Sequence, residues 1–293
     1  MPKLALGTVQ FGLDYGISNP RGRVPLDEVR RILDTAESGG IKVVDTAADY
    51  GECESVLGQY LPGSISVITK TGRFVEPELT DASIATFRAR VAESLARLRR
   101  DRLYGLLVHY CEDLVKPGGA RLFAALEELK VDRVVERIGI SAYRRDQIEP
   151  LMERYRFDLV QVPLNVLDQR LTASNFLHGL KAAGVEVHVR SVFLQGLLFL
   201  DPEEVRPYFA PIRPLLRAYH DALRRRGLTP VEGALAFVKS CAEVDYVVVG
   251  TTGAAELSEV LGAWNSTRGS DFDFTPFAVA EDAMVNPARW AYA

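Results

Sequence analysis

The chain has 293 residues, 47% hydrophobic and 25% charged, which excludes disordered, collagen-like and disulfide-framed classes. Its 35 Lys+Arg against 39 Asp+Glu leave a net charge of −4, so it lacks the basic footprint of a general nucleic-acid binder. Cys53, Cys111 and Cys241 form no C-x-x-C pair and suit a reducing cytoplasm, while the most apolar run, 192–200, falls far short of the ~20 residues of a membrane span, and the run after Met1 is too short for a signal peptide.

Short β-rich runs at 3–6, 42–45, 66–69, 103–109, 137–141, 159–162, 185–190 and 246–249 predict strands. Helical patterns lie between them. After Pro25, residues Leu26, Val29, Leu33 and Ala36 recur at helical spacing until Gly39 and Gly40 stop the helix. Further helices are predicted at 54–60, 82–98, 120–129, 146–154, 175–183, 214–225 and 254–263, with an extra one opening at Thr229 and Pro230. The basic clusters, Arg97 to Arg102 and Arg224 to Arg226, each close a helical pattern, where cations complement the carbonyl end of the dipole.

Strands alternating with helices imply parallel pairing, and eight such units close a (β/α)8 TIM barrel. No Pro/Gly/Ser-rich linker interrupts them, and the proline-rich stretch 201–214 reads as a loop insertion, so residues 1–293 are expected to form one barrel domain. A doubly wound nucleotide fold is the alternative; neither G-x-G-x-x-G nor G-x-x-x-x-G-K-[ST] is present to support it.

Active sites of such barrels are built at the carboxyl ends of the strands. There the chain is polar: Asp45, Lys70, His109, Ser141, Gln161, Arg190, and then Thr251 and Thr252, come at or near the ends of strands two to eight. Taken singly, Asp45 could be a helix cap, Lys70 a solvated rim lysine, His109 a core histidine and Tyr50 a cover for the second helix. An acid, a Tyr, a Lys and a His on neighbouring strand ends point instead to a site.

The run Val44-Asp45-Thr46-Ala47-Ala48-Asp49-Tyr50-Gly51 resembles the D-T-A-x-x-Y-G motif of the aldo-keto reductases. The likeness continues in order through Lys70, the L-L-V-H ending in His109, G-I-S at Gly139 to Ser141, Gln161 in Q-V-P-L-N, and Gly250. The opening K-L-A-L-G-T also looks like the family's first strand, whose Gly7 and Thr8 would lie against the cofactor, and with R-S-V-F-L-Q-G it resembles a bacterial subgroup linked to surface-sugar metabolism.

The resemblance implies an NAD(P)H-dependent oxidoreductase reducing a small-molecule aldehyde or ketone, a sugar-derived carbonyl among the candidates, with no nucleic-acid or membrane partner. The nicotinamide brings only the hydride, so a proton donor is needed at the oxygen. Tyr50 is the implied donor, Lys70 would draw its phenol toward the working range, Asp45 would hold Lys70 charged, and His109 would orient the carbonyl. Ser141 and Gln161 would hold the carboxamide; Arg190, Ser191, Leu194, Gln195 and Gly196, with Gly250, Thr251, Thr252, Glu256 and Glu259, would line the rest of the cofactor groove.

Two departures from the family pattern matter. Ala142 stands where an Asn usually follows the serine, and Arg190 where a Tyr usually stacks on the nicotinamide. A guanidinium over that ring would disfavour its positive, oxidised form. The loop from Gly250 to Glu256 carries no cation for a 2′-phosphate and has Glu256 near the expected Arg, which leans the cofactor toward NADH; alternatively, Glu256 is a first-turn acid on the helix dipole. Phe11, Tyr15, Phe74, Tyr110 and Tyr143 either wall a substrate pocket or pack loops. Two other functions stay open: a Schiff-base lyase or isomerase using Lys70, and a non-catalytic cofactor-binding barrel.

Overall fold

The computed structural model describes residues 1–172, 175–267 and 272–290. Eight strands form a closed, all-parallel barrel in sequence order: β1 Lys3–Gly7, β2 Val43–Asp45, β3 Ser66–Lys70, β4 Leu103–Val108, β5 Val135–Ser141, β6 Leu159–Pro163, β7 Glu186–Arg190 and β8 Tyr246–Gly250. The (β/α)8 expectation is met, with strand ends shifted by one or two residues: His109 falls just beyond β4, and β5 begins at Val135.

Closure comes at the β1–β8 seam, where Lys3 to Gly7 pair in register with Tyr246 to Gly250. Side chains alternate across each strand. Outward residues such as Leu6, Val44, Leu106 and Val187 join the layer packed under the helices, whereas Ala5, Val43, Ile68, Leu107, Leu159, Tyr246 and Val248 form a separate apolar plug inside the barrel. That plug leaves the carboxyl rim free for polar groups.

The outer ring consists of α1 Leu26–Ser38, α2 Cys53–Tyr60, α3 Asp81–Leu98, α4 Gly119–Val131, α5 Arg145–Arg154, α6 Phe176–Ala182, α7 Arg213–Arg225, the extra α8 Pro230–Ser240 predicted from Thr229 and Pro230, and α9 Ala254–Ser266. Thr80 and Thr229 cap α3 and α8 with reciprocal side-chain bonds to the third helical residue. The 201–214 insertion contains a 3₁₀ segment, Pro207–Ile212, before α7. No helix among the described residues is long and apolar enough to cross a membrane.

The basic clusters are anchored rather than free. Arg97 pairs with the buried Glu54, and Arg100 donates to the carbonyls of Leu61 and Pro62 at the end of α2. Where α2 crosses that region, Gly58 comes so close that an added Cβ would stand 2.0 Å from the Arg97 carbonyl oxygen. Gly58→Ala is expected to destabilise the protein by about 1–3 kcal/mol, as overpacking against backbone does, read as a lower midpoint in denaturant unfolding with an unchanged slope.

Candidate active site

The strand ends converge on one buried ion pair. Lys70 Nζ, at the end of β3, donates to Asp45 Oδ1 at 2.5 Å and to the Thr46 carbonyl at 2.9 Å, and its side chain is only 1% exposed. From across the barrel Gln161 Nε2 donates to Asp45 Oδ2 at 2.7 Å, so both carboxylate oxygens are held. Thr8, fully buried, donates from its hydroxyl to the Asp45 carbonyl at 2.8 Å; its side chain fixes the β2 end instead of facing the groove.

Tyr50 lies over this pair, with Lys70 Nζ 5.2 Å from its ring centroid. Burial pushes the Tyr50 phenol above its ordinary value, the Asp45 charge adds to this, and the Arg190 charge opposes it. The expected lowering by Lys70 is therefore not what the resting site produces: burial and the Asp45 charge prevail, and the phenol is raised instead. Burial also pulls Lys70 below its usual value, against the opposing pull of Asp45.

His109 meets Tyr50 edge-on at 5.9 Å between ring centroids. Its Nδ1 lies 3.8 Å from Asp49 Oδ2, too long for a hydrogen bond, and has no other partner among the described residues. Burial lowers its pKa, with Asp49 pulling the other way, so the ring is neutral at pH 7 and able to donate from one nitrogen.

The groove residues divide. Ser141, buried at the end of β5, makes no hydrogen bond through its hydroxyl among the described residues. Arg190 lies on the Tyr143 ring, 4.2 Å from its centroid, reaching Ser191 Oγ at 3.4 Å and the Ala142 carbonyl at 3.5 Å, with no ion pair among the described residues. The loop that follows is held left-handed at Ser191, Leu194, Gln195 and Gly196. At Gly196 the space a Cβ would need belongs to Ser18, whose hydroxyl donates to the Gln195 carbonyl at 3.2 Å. Gly7 and Gly250 pair at the closing seam. Thr252 donates from backbone and hydroxyl to the Glu256 carboxylate, and Thr251 donates from its hydroxyl at 3.1 Å, so Glu256 takes the first-turn role and organises its own loop. Glu259, exposed one turn further on, is not brought to the others. Of the proposed aromatic walls, Phe11 and Phe74 are core residues, while Tyr15, Tyr110 and Tyr143 keep part of their surface.

Three contributors had no place in the sequence reading. Asn165 donates from Nδ2 to the Ser191 carbonyl at 3.0 Å, tying the β6 loop to the β7 loop; its position just after Q-V-P-L was the available signal. Glu28, on α1, accepts from the Ala254 backbone at 2.7 Å across 226 residues, a pairing with no local signal. Gln10 stands over Gly250, where a Cβ would lie 2.9 Å from its amide, and its Oε1 is buried without a partner among the described residues.

These features fit a nicotinamide dinucleotide: an unengaged Ser141 hydroxyl, an orphaned Gln10 carbonyl beside a strand-end glycine, and a left-handed loop at the rim. A closed barrel with a buried acid–amine pair, a phenol and a neutral imidazole at its carboxyl rim defines an α/β-barrel enzyme equipped for proton transfer. The chain belongs to the aldo/keto reductase family, whose model matches residues 3–275, and it is an oxidoreductase of that family. It is similar to the D-threo-aldose 1-dehydrogenase of a Pseudomonas species, 30% identical over 231 residues (66% of this chain, 69% of that one), and to the NADH-specific methylglyoxal reductase of Escherichia coli K12, 29% identical over 229 residues (68% and 69%). Its fold matches that of an aldo-keto reductase from Bacillus halodurans solved in holo form, with a TM-score of 0.74 at 21% identity, covering 98% of this chain and 94% of that one.

Lys70→Met leaves the Asp45 carboxylate buried without its cation and is expected to cost about 3–5 kcal/mol of stability, with the double variant Asp45→Asn/Lys70→Met recovering much of it. Equilibrium urea unfolding of the three proteins measures both.

Proposed function

We propose that the chain reduces an aldehyde or ketone to an alcohol, with Tyr50 as the proton donor. The observation that carries this reading is the Tyr50 phenol lying over the buried Lys70–Asp45 ion pair. Bound reduced nicotinamide supplies a hydride to the carbonyl carbon. Tyr50 delivers its proton to the oxygen, Lys70 steadies the phenolate left behind, Asp45 and Gln161 hold Lys70 in place, and His109 donates to the same oxygen as charge develops. The similarity to an aldose dehydrogenase and to a methylglyoxal reductase supports a sugar-derived or other small polar carbonyl as substrate. A Schiff-base reaction is less well supported, because Lys70 Nζ is spent on two acceptors beneath Tyr50 and presents no lone pair to the groove. A purely cofactor-binding role leaves the complete proton-transfer set without a use.

For the cofactor we propose NADH. The amino end of α9 is occupied by two of the protein's own carboxylates: Glu28 accepts from the Ala254 N–H and Glu256 from the Thr252 N–H. An added phosphate there would meet like charge. The NADH-specific relative is consistent with this. Arg190 favours the reduced ring, because a guanidinium repels the positive oxidised one.

Tyr50→Phe is expected to lower kcat by about 10²–10⁴-fold, the range of general-acid catalysis, with NADH affinity unchanged, as measured by steady-state assay and fluorescence titration. Because the folded phenol is raised and its acid form is the reactive one, the wild-type reduction rate should hold through pH ~10, where an ordinary tyrosine titrates, and decline only above it; a loss centred near neutrality is the contrary result. In titrations, NADH should bind at least about tenfold more tightly than NADPH, and Glu28→Gln/Glu256→Gln should narrow that ratio. Tighter NADPH binding by the wild type contradicts the cofactor assignment, and an NAD⁺/NADH affinity ratio unchanged in Arg190→Tyr contradicts the role of Arg190.

A further inference from the structure

The pairing of β6 with β7 continues past the ends of both strands. The Leu164 N–H donates to the Arg190 carbonyl at 3.1 Å. The next carbonyl along, that of Ser191, is met by a side chain, Asn165 Nδ2 at 3.0 Å. The same oxygen accepts from the Leu194 N–H at 2.9 Å and so closes the turn that begins the β7 loop. Asn165 therefore grips the atom about which that loop folds back.

The loop is one that has to be gripped. Ser191, Leu194 and Gln195 are not glycines, yet their φ angles are 59°, 47° and 55°. In that region Cβ crowds the backbone, and the conformation persists only where the surroundings enforce it. On one side the enforcing group is Asn165. On the other it is Ser18, whose hydroxyl donates to the Gln195 carbonyl.

Asn165 is held just as firmly. It is completely buried, and its Oδ1 accepts from the backbone N–H groups of Leu167 and Asp168, each at 3.0 Å, which leaves Nδ2 facing Ser191. This β6 turn is fastened to the C-terminal stretch at three points. The Val279 N–H donates to the Leu167 carbonyl at 2.8 Å, and Gln169 Nε2 donates to the Phe274 carbonyl at 2.7 Å. Arg170 clasps the buried Asp168 carboxylate with two N–H groups, at 2.7 and 2.8 Å, and reaches Asp282 Oδ1 with a third at 2.6 Å. Asp282 is steadied in turn by Asn286 Nδ2 at 3.2 Å and by Arg289 at 2.7 Å. Paired charges with forked geometry make the Arg170 contacts the stronger kind of hydrogen bond.

We infer that Asn165 is a positioning residue for cofactor binding and that the C-terminal stretch 274–282 acts through it. Asp282, Arg170 and Asp168 fix the β6 turn, the turn fixes Asn165, and Asn165 holds the loop from Ser191 to Gly196 in its left-handed shape. Only the last step, that this shape receives the dinucleotide, rests on the proposed function. Neither Asn165 nor Asp282 takes part in proton transfer.

Hydrogen exchange on the full-length protein without cofactor tests the mechanical part. Asn165→Asp keeps the oxygen that serves Leu167 and Asp168 but loses the donor to Ser191, and amides 191–196 should exchange about five- to tenfold faster, the range of one hydrogen bond, while those of β4 are unchanged. Asp282→Asn, at a partly exposed position and with Arg170 between it and the β6 turn, should speed the same amides to a smaller extent, and Asp282→Glu should not; this pair decides the matter if Asn165→Asp fails to fold. Fluorescence titration and steady-state assay test the rest: the NADH Kd of Asn165→Asp should rise by about the same factor, with kcat at saturating NADH within about twofold of wild type. Unchanged exchange at 191–196 in the folded variants overturns the inference whatever the protein binds, and faster exchange with an unaltered NADH Kd overturns the positioning role. A wild type that binds no nicotinamide dinucleotide overturns the proposed function and with it the cofactor role of Asn165, while faster exchange in Asp282→Asn still establishes the link from the C-terminal stretch to the loop.

Discussion

The buried contact between Lys70 and Asp45 is the constraint to which the rest of the site answers. Two opposite charges out of water are tolerable only when each is also hydrogen-bonded, and here the Thr46 carbonyl and the Gln161 amide complete the set. These four groups come from β3, β2, the turn after β2, and β6, so the pair forms only when the barrel has closed around it. Tyr50 keeps its proton above this pair because burial, and after it the Asp45 charge, disfavours the phenolate.

The fold was readable because hydrophobic period and punctuation agree over the whole chain. Pro25 and the Gly39-Gly40 pair bracket α1, Thr229 and Pro230 open α8, and the β-rich runs fall where the strands lie. Asp45, Tyr50, Lys70 and His109 were legible for the same reason, since a barrel turns sequence order into neighbouring rim positions. What escaped was tertiary. The Glu28 bond to Ala254 spans 226 residues, and Thr8, read as a cofactor contact, turned out to spend its hydroxyl on the backbone beneath Asp45. The inward Glu-His-Arg alternation of β7 was visible in the sequence, but its meaning depends on which face points into the barrel, and that is set by register with β6 and β8.

Polar residues in the middle of a barrel are costly. Ala5, Ile68, Leu107 and Val248 fill much of the interior with apolar groups, so that the buried Lys70–Asp45 pair acts in a medium that screens it weakly. The pair sits at the rim, where the left-handed turn at Ser191 to Gly196 and the hydroxyl of Ser141 also lie.

The seam between β1 and β8 also orders events during synthesis. Residues from the first strand and first helix wait for the last unit: Lys3 to Gly7 lack one neighbour, and Glu28 lacks its N–H donor, until Tyr246 to Ala254 have left the ribosome. A nascent chain therefore carries an open sheet edge on β1 until β8 has been made, and the polar rim is complete only after that seam closes.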